Sequence, residues 1–351
     1  CESNLRCLEM LKSRRGFPVD VIDHCSRGKG WKGKKHGVGQ ARKTVMDRAS
    51  DLATPGDVIV SMDADTVFGK NYLLAVARAL AGTAHFSALA VPYFHRTPED
   101  PSAARAILRY EIYMRHYLLN LLRVGSPYAF TALGSAMGVP VNAYRAIGGM
   151  APRLSGEDFY FLQKLRKFGE VLLWCDEPVF PEARFSDRVF FGTGPAMIRG
   201  AACDWSSYPI YPADLFDRVG ETYRLLPELY RGFVDTPVMR FLAEQGGEGD
   251  PLAPLRVNHT DYGHFTRAFH EKFDGLRILQ FLKSGRAGYS GTDEDYLWEF
   301  LEGAKALKVT ERAGLDRMNF SFTRSETGEL ERMRDLLYRM ETEARLNSAP
   351  R

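Results

Sequence analysis

The chain has 351 residues, of which 45% are apolar and 26% charged, and its formal net charge is +3. This length predicts about two domains with a sizeable core, and the small net charge gives no argument for nucleic-acid binding. Apolar residues never run uninterrupted for about 18 positions, so no membrane span is expected. Five scattered cysteines without a C-x-x-C pair argue against a disulfide framework or a structural zinc site, and they indicate a reducing, cytoplasmic location.

Helix and strand patterns alternate through the first part of the chain. In chain order they predict a helix over 2–14, a strand over 17–23, a helix over 38–53, a strand over 57–62, a helix over 71–81, a strand over 87–92 and a helix over 102–123. Strands are also predicted within 134–150 and 170–175, with a helix over 157–168 between them. Such alternation with short connections predicts an α/β fold, in which helices cover both faces of a largely parallel sheet.

The character of the sequence changes after Gly200. Beyond it, segments of helical period are separated by turns containing Pro and Gly, and these segments cover 213–233, 262–284, 294–308 and 327–346. We therefore expect a boundary near residue 200, between an α/β domain over 1–200 and a mainly helical extension over 201–351.

Residues 26–39 (SRGKGWKGKKHGVG) satisfy two nucleotide-binding patterns at once. Gly28, Gly30 and Gly33 spell the dinucleotide fingerprint, but four residues separate the predicted strand from Gly28. The phosphate-loop pattern fails where Lys35 replaces the Ser or Thr that would hold magnesium. What remains is that the stretch between Asp23 and Asp47 contains no acid and seven basic residues, which are Arg27, Lys29, Lys32, Lys34, Lys35, Arg42 and Lys43. It is either a solvated flexible loop or a loop that closes over a polyanion at the carboxyl edge of the sheet.

Two acidic residues, Asp63 and Asp65, follow the predicted strand over 57–62. If the segment is extended, alternation points both side chains to the same side. Two carboxylates so close repel each other, and a hard divalent cation that also binds phosphate oxygens would relieve the repulsion. The alternative is that one of the two aspartates caps the following turn.

Several segments in sequence order carry a resemblance to a known family: VDVIDHCS, GVGQARKTVMDRA, DVIVSMDADT, GSAMGVPVNAYRAIGGM and SGEDFYFLQKLRKFGEV. Over roughly 1–200 the chain resembles a family 2 glycosyltransferase with the GT-A fold. The resemblance implies a Rossmann-like, mainly parallel sheet. It also implies a metal-dependent, inverting hexosyl transfer from a nucleoside diphosphate sugar to an acceptor hydroxyl, in bacterial polysaccharide or glycoconjugate biosynthesis. The family's first strand is not in the sequence, which begins at Cys1, so we expect that a segment precedes it.

The same resemblance implies roles for residues on the donor side. Asp23 would read the nucleotide base, and Arg42 would support the diphosphate. Asp65 would be a direct ligand of Mn²⁺ or Mg²⁺, and Asp63 would lie between the ribose and the metal. The residues expected around the donor sugar, the acceptor and the diphosphate are Gly134, Ser135, Arg184 and Arg188. For Arg184 and Arg188, the open alternative is an ordinary surface position without a binding role.

Glu157 and Asp158 open the predicted helix over 157–168. The resemblance implies that Asp158 is the general base and that Glu157 belongs to the same catalytic motif. The favourable field at a helix N-terminus also accounts for an acidic pair there, without any catalytic role.

Two other classes of protein remain open. A sugar-phosphate nucleotidyltransferase normally carries a basic Gly-rich segment at its N-terminus, which this chain lacks, and a non-catalytic nucleotide-sugar-binding protein would not need both acidic pairs. The implied partners are a nucleotide-sugar donor and a carbohydrate, lipid-linked or other glycoconjugate acceptor, with no nucleic acid. Tyr110, Tyr113 and Tyr117 form a stripe that is either a packed core face or a docking site for such an acceptor. Peripheral contact with the inner face of a membrane stays open.

Overall fold

The structure, a computed structural model, describes residues 2–14, 16–32, 36–81, 85–246 and 249–348. Its strands are β1 (Val58–Ser61), β2 (Val67–Phe68), β3 (Phe86–Ala90), β4 (Met137–Pro140), β5 (Glu170–Leu172) and β6 (Val179–Phe180). The helices up to residue 201 are α1 (Glu2–Ser13), α2 (Val38–Leu52), α3 (Tyr72–Leu80), α4 (Pro101–Arg123), α5 (Val141–Ala146), α6 (Glu157–Phe168) and α7 (Thr193–Ala201). The later helices are α8 (Ala213–Arg224), α9 (Leu226–Arg231), α10 (Pro237–Gly246), α11 (Ala253–Asn258), α12 (Tyr262–Lys272), α13 (Gly275–Arg286), α14 (Asp293–Gly303), α15 (Leu307–Arg312) and α16 (Thr327–Ser348).

Four of the strands form one mixed sheet in the order β1-β4-β3-β5. β4 runs antiparallel to both of its neighbours, with Ile59 opposite Val139 and Leu89 opposite Gly138. β3 and β5 are parallel, so β1, β3 and β5 share one direction and their carboxyl ends meet at one edge of the sheet. β2 and β6 form a separate antiparallel pair. α3 packs so closely on β4 that a Cβ at Gly138 would overlap the side chain of Val76.

The prediction of a large, mainly parallel Rossmann-like sheet is wrong. About 54% of the described residues are helical and only 6% of them lie in strands, and the sheet is small and mixed in direction. The predicted strand over 17–23 has no regular structure, and the side chains of Phe17, Val19 and Ile22 are exposed. An alternating run becomes a strand only where a neighbouring strand takes its hydrogen bonds and a core takes its apolar face. Residues 17–23 have no such neighbour in the part of the chain that the structure describes.

Helices carry most of the fold, and five predicted helices are confirmed, those over 2–14, 38–53, 71–81, 102–123 and 157–168. α4 illustrates how the sequence sets such a helix, because Pro101 opens it and the Asp100 side chain accepts from the backbone N–H of Ala103 at 2.7 Å. From residue 202 onward, the described residues form helices and no strand. None of the described helices is both long enough and apolar enough to cross a membrane.

Two hydrophobic cores hold the sheet and the helices together, and each draws residues from both sides of residue 200. Phe161 of α6 and Phe265 of α12 belong to one core. Ile107 of α4 and Leu337 of α16 belong to the other. α16 packs along α4, and α7 packs on the same long helix. The later helices are therefore packed against the part of the chain that carries the sheet.

Candidate functional site

Arg42 lies at the centre of a buried polar cluster at the carboxyl end of β1. From α2, its Nη2 donates to Oδ1 of Asp63 at 2.8 Å, and its Nε donates to Oε1 of Glu157 at 3.4 Å. Nη1 donates to Oγ of Ser61 at 2.7 Å and to the carbonyl oxygen of Gly134 at 2.6 Å. Burial alone lowers the pKa of Arg42, but the charges of Asp63 and Glu157 outweigh burial and raise that pKa above its ordinary value. The guanidinium therefore stays charged and joins α2, β1, the loop before β4 and α6.

Position 134 is a glycine because the guanidinium of Arg42 occupies the space where a side chain would begin. A Cβ on Gly134 would overlap Nη2 of Arg42. Ser61 completes the contact, since its Oγ donates to the Gly134 carbonyl oxygen at 2.7 Å. Ser135 follows directly and is buried. The structure thus brings Gly134 into the Arg42 cluster as a carbonyl acceptor and as a space without a side chain.

Glu157 and Asp158 begin α6, and their side chains have different surroundings. Glu157 is buried against Arg42, whereas Asp158 is half-buried and accepts from the backbone N–H of Phe159 at 2.7 Å. Burial, and next the repulsion from Glu157, raise the pKa of Asp158 to about 6, although the Arg42 guanidinium lowers it. A helix N-terminus favours the anion, so burial and neighbouring acids outweigh that field here. Asp158 is therefore a carboxyl group that exchanges its proton near neutral pH.

The turn after β1 holds Asp63 and Asp65, and the prediction of an extended segment is wrong here. The backbone N–H of Thr66 donates to the carbonyl oxygen of Asp63 at 3.1 Å, which closes a turn. Each carboxylate meets a different arginine, because Oδ1 of Asp63 accepts from Arg42 and Oδ2 of Asp65 lies 2.7 Å from Nη2 of Arg184. Both carboxylates remain accessible, with 42% of the Asp63 side chain and 29% of the Asp65 side chain exposed.

The resemblance implies a divalent metal ion, and the side chains of this turn can be checked for whether they fit one. Within the described ranges, no group of three or more His, Cys, Asp or Glu side chains is arranged to hold a metal ion. Mg²⁺ is usually bound through one or two carboxylates, with water and substrate phosphates as the other ligands. Asp63 and Asp65 are two accessible carboxylates in one turn, so their chemistry fits such a site when a diphosphate supplies the remaining ligands.

The loop before α7 carries Arg184 and Arg188, and these two arginines have different partners. Arg184 pairs with Asp65, whereas the exposed Arg188 donates from Nε to Oγ of Ser186 in its own loop at 3.3 Å. The far end of the loop is fixed beside α6, because the backbone N–H of Phe191 donates to Oγ of Ser155 at 3.3 Å. The loop therefore spans from the Asp65 turn to the start of α6.

Asp23 is occupied by its own loop. Its Oδ1 accepts from the backbone N–H groups of Cys25 and Ser26, both at 3.0 Å, and Nζ of Lys29 lies 3.1 Å from Oδ2. The hydrogen bonds from Ser26, followed by those from Lys29 and Cys25, hold the pKa of Asp23 far below its usual range. None of the contacts described for Asp23 reaches the Arg42 cluster. Gly33, Lys34 and Lys35 of the basic segment lie outside the described residues.

Two side chains near the cluster were missed by sequence reasoning. Ser61 is the last residue of β1 and gave no signal beyond its place before Asp63. The sequence placed Tyr110 of α4 in a stripe that is either a packed core face or a docking site for an acceptor, without a link to the acidic pair at 157–158. Tyr110 is indeed buried, with its ring 4.8 Å from that of Tyr208, but its hydroxyl group also bonds to Thr193 and lies in the field of Asp158. Burial, and next the Tyr208 hydroxyl, raise the pKa of Tyr110 well above its ordinary value.

Comparison of the chain with known proteins gives no further assignment. No protein family, curated protein or solved structure matches it.

Proposed function

We propose that the protein is a metal-dependent glycosyltransferase that moves a sugar from a nucleoside diphosphate donor to an acceptor hydroxyl group with inversion. One observation carries the proposal. Asp158 is half-buried, its pKa is raised to about 6, and it lies beside the cluster centred on Arg42. The same cluster holds Asp63, which shares one turn with Asp65, and the carboxylates of both aspartates are accessible. A poised base next to an oxygen-rich cation site suits the activation of a hydroxyl group opposite a diphosphate leaving group.

On the donor side, Asp63 and Asp65 would hold Mn²⁺ or Mg²⁺. The bound metal would neutralise the charge that develops on the leaving diphosphate. Arg42 contributes indirectly, because all three of its guanidinium nitrogens already donate to protein acceptors. It fixes Asp63 in the turn and Glu157 at the start of α6. Arg184 is the cation that would contact the diphosphate, since its side chain is half exposed and pairs with Asp65.

On the acceptor side, Asp158 would take the proton of the attacking hydroxyl group. With a pKa of about 6, the Asp158 carboxyl is ionised in most protein molecules at neutral pH and is ready to accept a proton. Glu157 raises that pKa and is itself held by Arg42, so it is a positioning residue. A single base with in-line attack on the anomeric carbon gives inversion.

The proposed partners follow from this chemistry. The donor is a nucleotide sugar, and the acceptor is a carbohydrate or a lipid-linked or other glycoconjugate. The proposed place of action is the cytoplasm, at the inner face of the membrane, in polysaccharide or glycoconjugate biosynthesis.

A two-stage experiment tests the function. A panel of nucleotide sugars is first screened for thermal stabilisation of the protein with Mn²⁺ and with a chelator, since a ligand that binds only the folded state raises its melting temperature. The stabilising donor is then used in transfer assays. Asp158→Asn should abolish transfer and keep metal-dependent donor binding, whereas Asp65→Ala should lose the metal dependence of donor binding.

Three outcomes would contradict the proposal. The first is that no nucleotide sugar stabilises the protein in the presence of metal. The second is normal turnover by Asp158→Asn, which would remove the proposed base. The third is release of pyrophosphate from a nucleoside triphosphate and a sugar phosphate, which would instead indicate a nucleotidyltransferase.

A further inference from the structure

The loop before α7 and the start of that helix carry several exposed apolar side chains. Phe190 is 80% exposed, Phe191 49% and Phe185 47%, and Ile198 is also exposed. Leu154 is exposed as well, and it lies beside this segment because its neighbour Ser155 bonds to the backbone of Phe191. Large apolar side chains are normally buried, and several exposed together mark an interaction site. We name Leu154, Phe185, Phe190, Phe191 and Ile198 the phenylalanine surface.

The phenylalanine surface is held in place by the fold. The backbone N–H of Phe191 donates to Oγ of Ser155 at 3.3 Å, and that of Gly192 donates to the hydroxyl oxygen of Tyr208 at 3.2 Å. The ring of Phe191 lies against Gly156, where a Cβ would overlap it. α7 begins at Thr193 and packs on α4. Phe190 is therefore 80% exposed and lies directly beside an anchored end of the loop.

Exposed cations accompany the apolar side chains. Residues 184–199 contain three arginines (Arg184, Arg188 and Arg199) and one acid (Asp187), and Arg184 is paired with a second acid, Asp65. The segment together with that partner has a net charge of 3 − 2 = +1. Arg153 adjoins Leu154, and its guanidinium lies 3.7 Å from the centre of the Tyr160 ring. Exposed aromatic side chains among arginines are typical of segments that lie in a membrane interface, where the rings enter the acyl boundary and the cations meet anionic headgroups.

We propose that the phenylalanine surface inserts into the interface of an anionic lipid bilayer. The combination of exposed aromatic rings and arginines favours a bilayer, in which the rings enter the acyl boundary and the guanidinium groups meet the headgroups. The charge favours anionic lipids over neutral ones. The surface adjoins Gly156, the residue before Glu157 and Asp158, so insertion would bring the candidate site to the bilayer, where a lipid-linked acceptor would lie. That last consequence rests on the proposed function, but bilayer binding does not.

The direct test is sedimentation of the full chain with vesicles, in the absence of metal and nucleotide sugar. Binding to vesicles of phosphatidylcholine with added phosphatidylglycerol should exceed binding to phosphatidylcholine alone. Phe190→Ser should lower the partition coefficient about tenfold, since it removes an exposed ring from the membrane side. Met318→Ser is the matched control, because Met318 is 88% exposed and lies outside the surface. Thermal unfolding of both variants checks that they are folded.

A second measurement reports insertion itself. Phe190→Trp should gain a blue-shifted emission relative to the wild-type protein when anionic vesicles are added, and brominated lipids should quench it. Met318→Trp should show neither effect. Sedimentation with neither kind of vesicle, equal sedimentation with both, or an unshifted Phe190→Trp emission in the bound fraction would overturn the proposal. Because no donor is present, these results are independent of the transfer assays that test the proposed function.

Discussion

Arg42 on α2 and Glu157 at the start of α6 are 115 positions apart in the sequence, yet Nε of Arg42 donates to Oε1 of Glu157 at 3.4 Å. Both side chains are buried, and the same guanidinium also holds Asp63. A buried charge is tolerated only while its partners stay in place, because removing one partner leaves the other charge without water or counter-charge. The pair therefore couples the start of α6 to the acidic turn after β1.

Arg42→Ala should lower the free energy of unfolding by about 3–5 kcal/mol, because it leaves Glu157 buried without a cation. Urea denaturation followed by circular dichroism measures this loss. Lys43→Ala is the control, since Lys43 is the next residue on α2 and its ion pair with Asp47 is partly exposed, so its loss should cost less than about 1 kcal/mol. Equal losses in the two variants would contradict the central role of Arg42.

Asp158→Asn should stabilise the protein at neutral pH. The pKa of the Asp158 carboxyl is raised from 3.8 to about 6, so between these values the folded protein keeps a proton that the unfolded chain has released. The free energy of unfolding of the wild-type protein therefore falls as pH rises through that window. The variant does not show this fall, because Asn does not titrate. Below pH 4 the two proteins should be equally stable. Above pH 6 the variant should gain on the order of 1–2 kcal/mol, allowing for partial exposure. A stability difference that does not change with pH would contradict the shift.

The sequence predicts the helices well because their signals are local. The period of α2 and the Pro101 start of α4 can be read within a few residues. The strand prediction at 17–23 has the right alternation and fails, because a strand also needs a distant neighbour that no local pattern reveals. The larger sheet expected from the family resemblance fails for the same reason.

The candidate site shows a similar division between residue types and contacts. The resemblance singles out Arg42, Gly134 and Glu157, but it does not predict that one guanidinium bonds to the last two of these and to Asp63. Only the structure explains why position 134 is a glycine, because the Arg42 guanidinium fills the space that a side chain there would need. At Asp63 and Asp65, strand alternation suggests one shared direction, whereas a turn directs the two carboxylates to different arginines.

Arg184→Gln should strengthen Mn²⁺ binding in the absence of nucleotide. In the structure Nη2 of Arg184 lies 2.7 Å from Oδ2 of Asp65, so a metal at Asp65 must displace a cation. A partly exposed pair of this kind is worth up to about 1 kcal/mol, which corresponds to a gain in affinity of about two- to fivefold. Electron paramagnetic resonance of free Mn²⁺ measures the affinity. Arg188→Gln is the control, because Arg188 bonds to Ser186 and should leave the affinity unchanged. Weaker binding by Arg184→Gln would show that Arg184 supports the metal site instead of competing with it.

A buried ion network fastens α16 to α4, and Glu341 is one of its buried carboxylates. Oε2 of Glu341 accepts from Nη1 of Arg115, and Oε1 accepts from Nε of Arg345, both at 2.7 Å. Arg345 continues the network to the sheet, since its Nη1 donates to the carbonyl oxygen of Leu173 at 2.7 Å. Glu341→Ala would leave two buried guanidinium groups without their shared carboxylate.

Glu341→Ala should therefore lower the free energy of unfolding by about 3–5 kcal/mol. Glu341→Gln, which keeps an acceptor oxygen but loses the charge, should lose less. The matched control is Glu343→Ala on the exposed side of the same helix, which should stay within about 0.5 kcal/mol of the wild-type protein. Urea denaturation measures all three variants. A loss in Glu341→Ala as small as that in Glu343→Ala would mean that apolar packing in the core shared by α4 and α16 holds the C-terminal helix without help from the ion network.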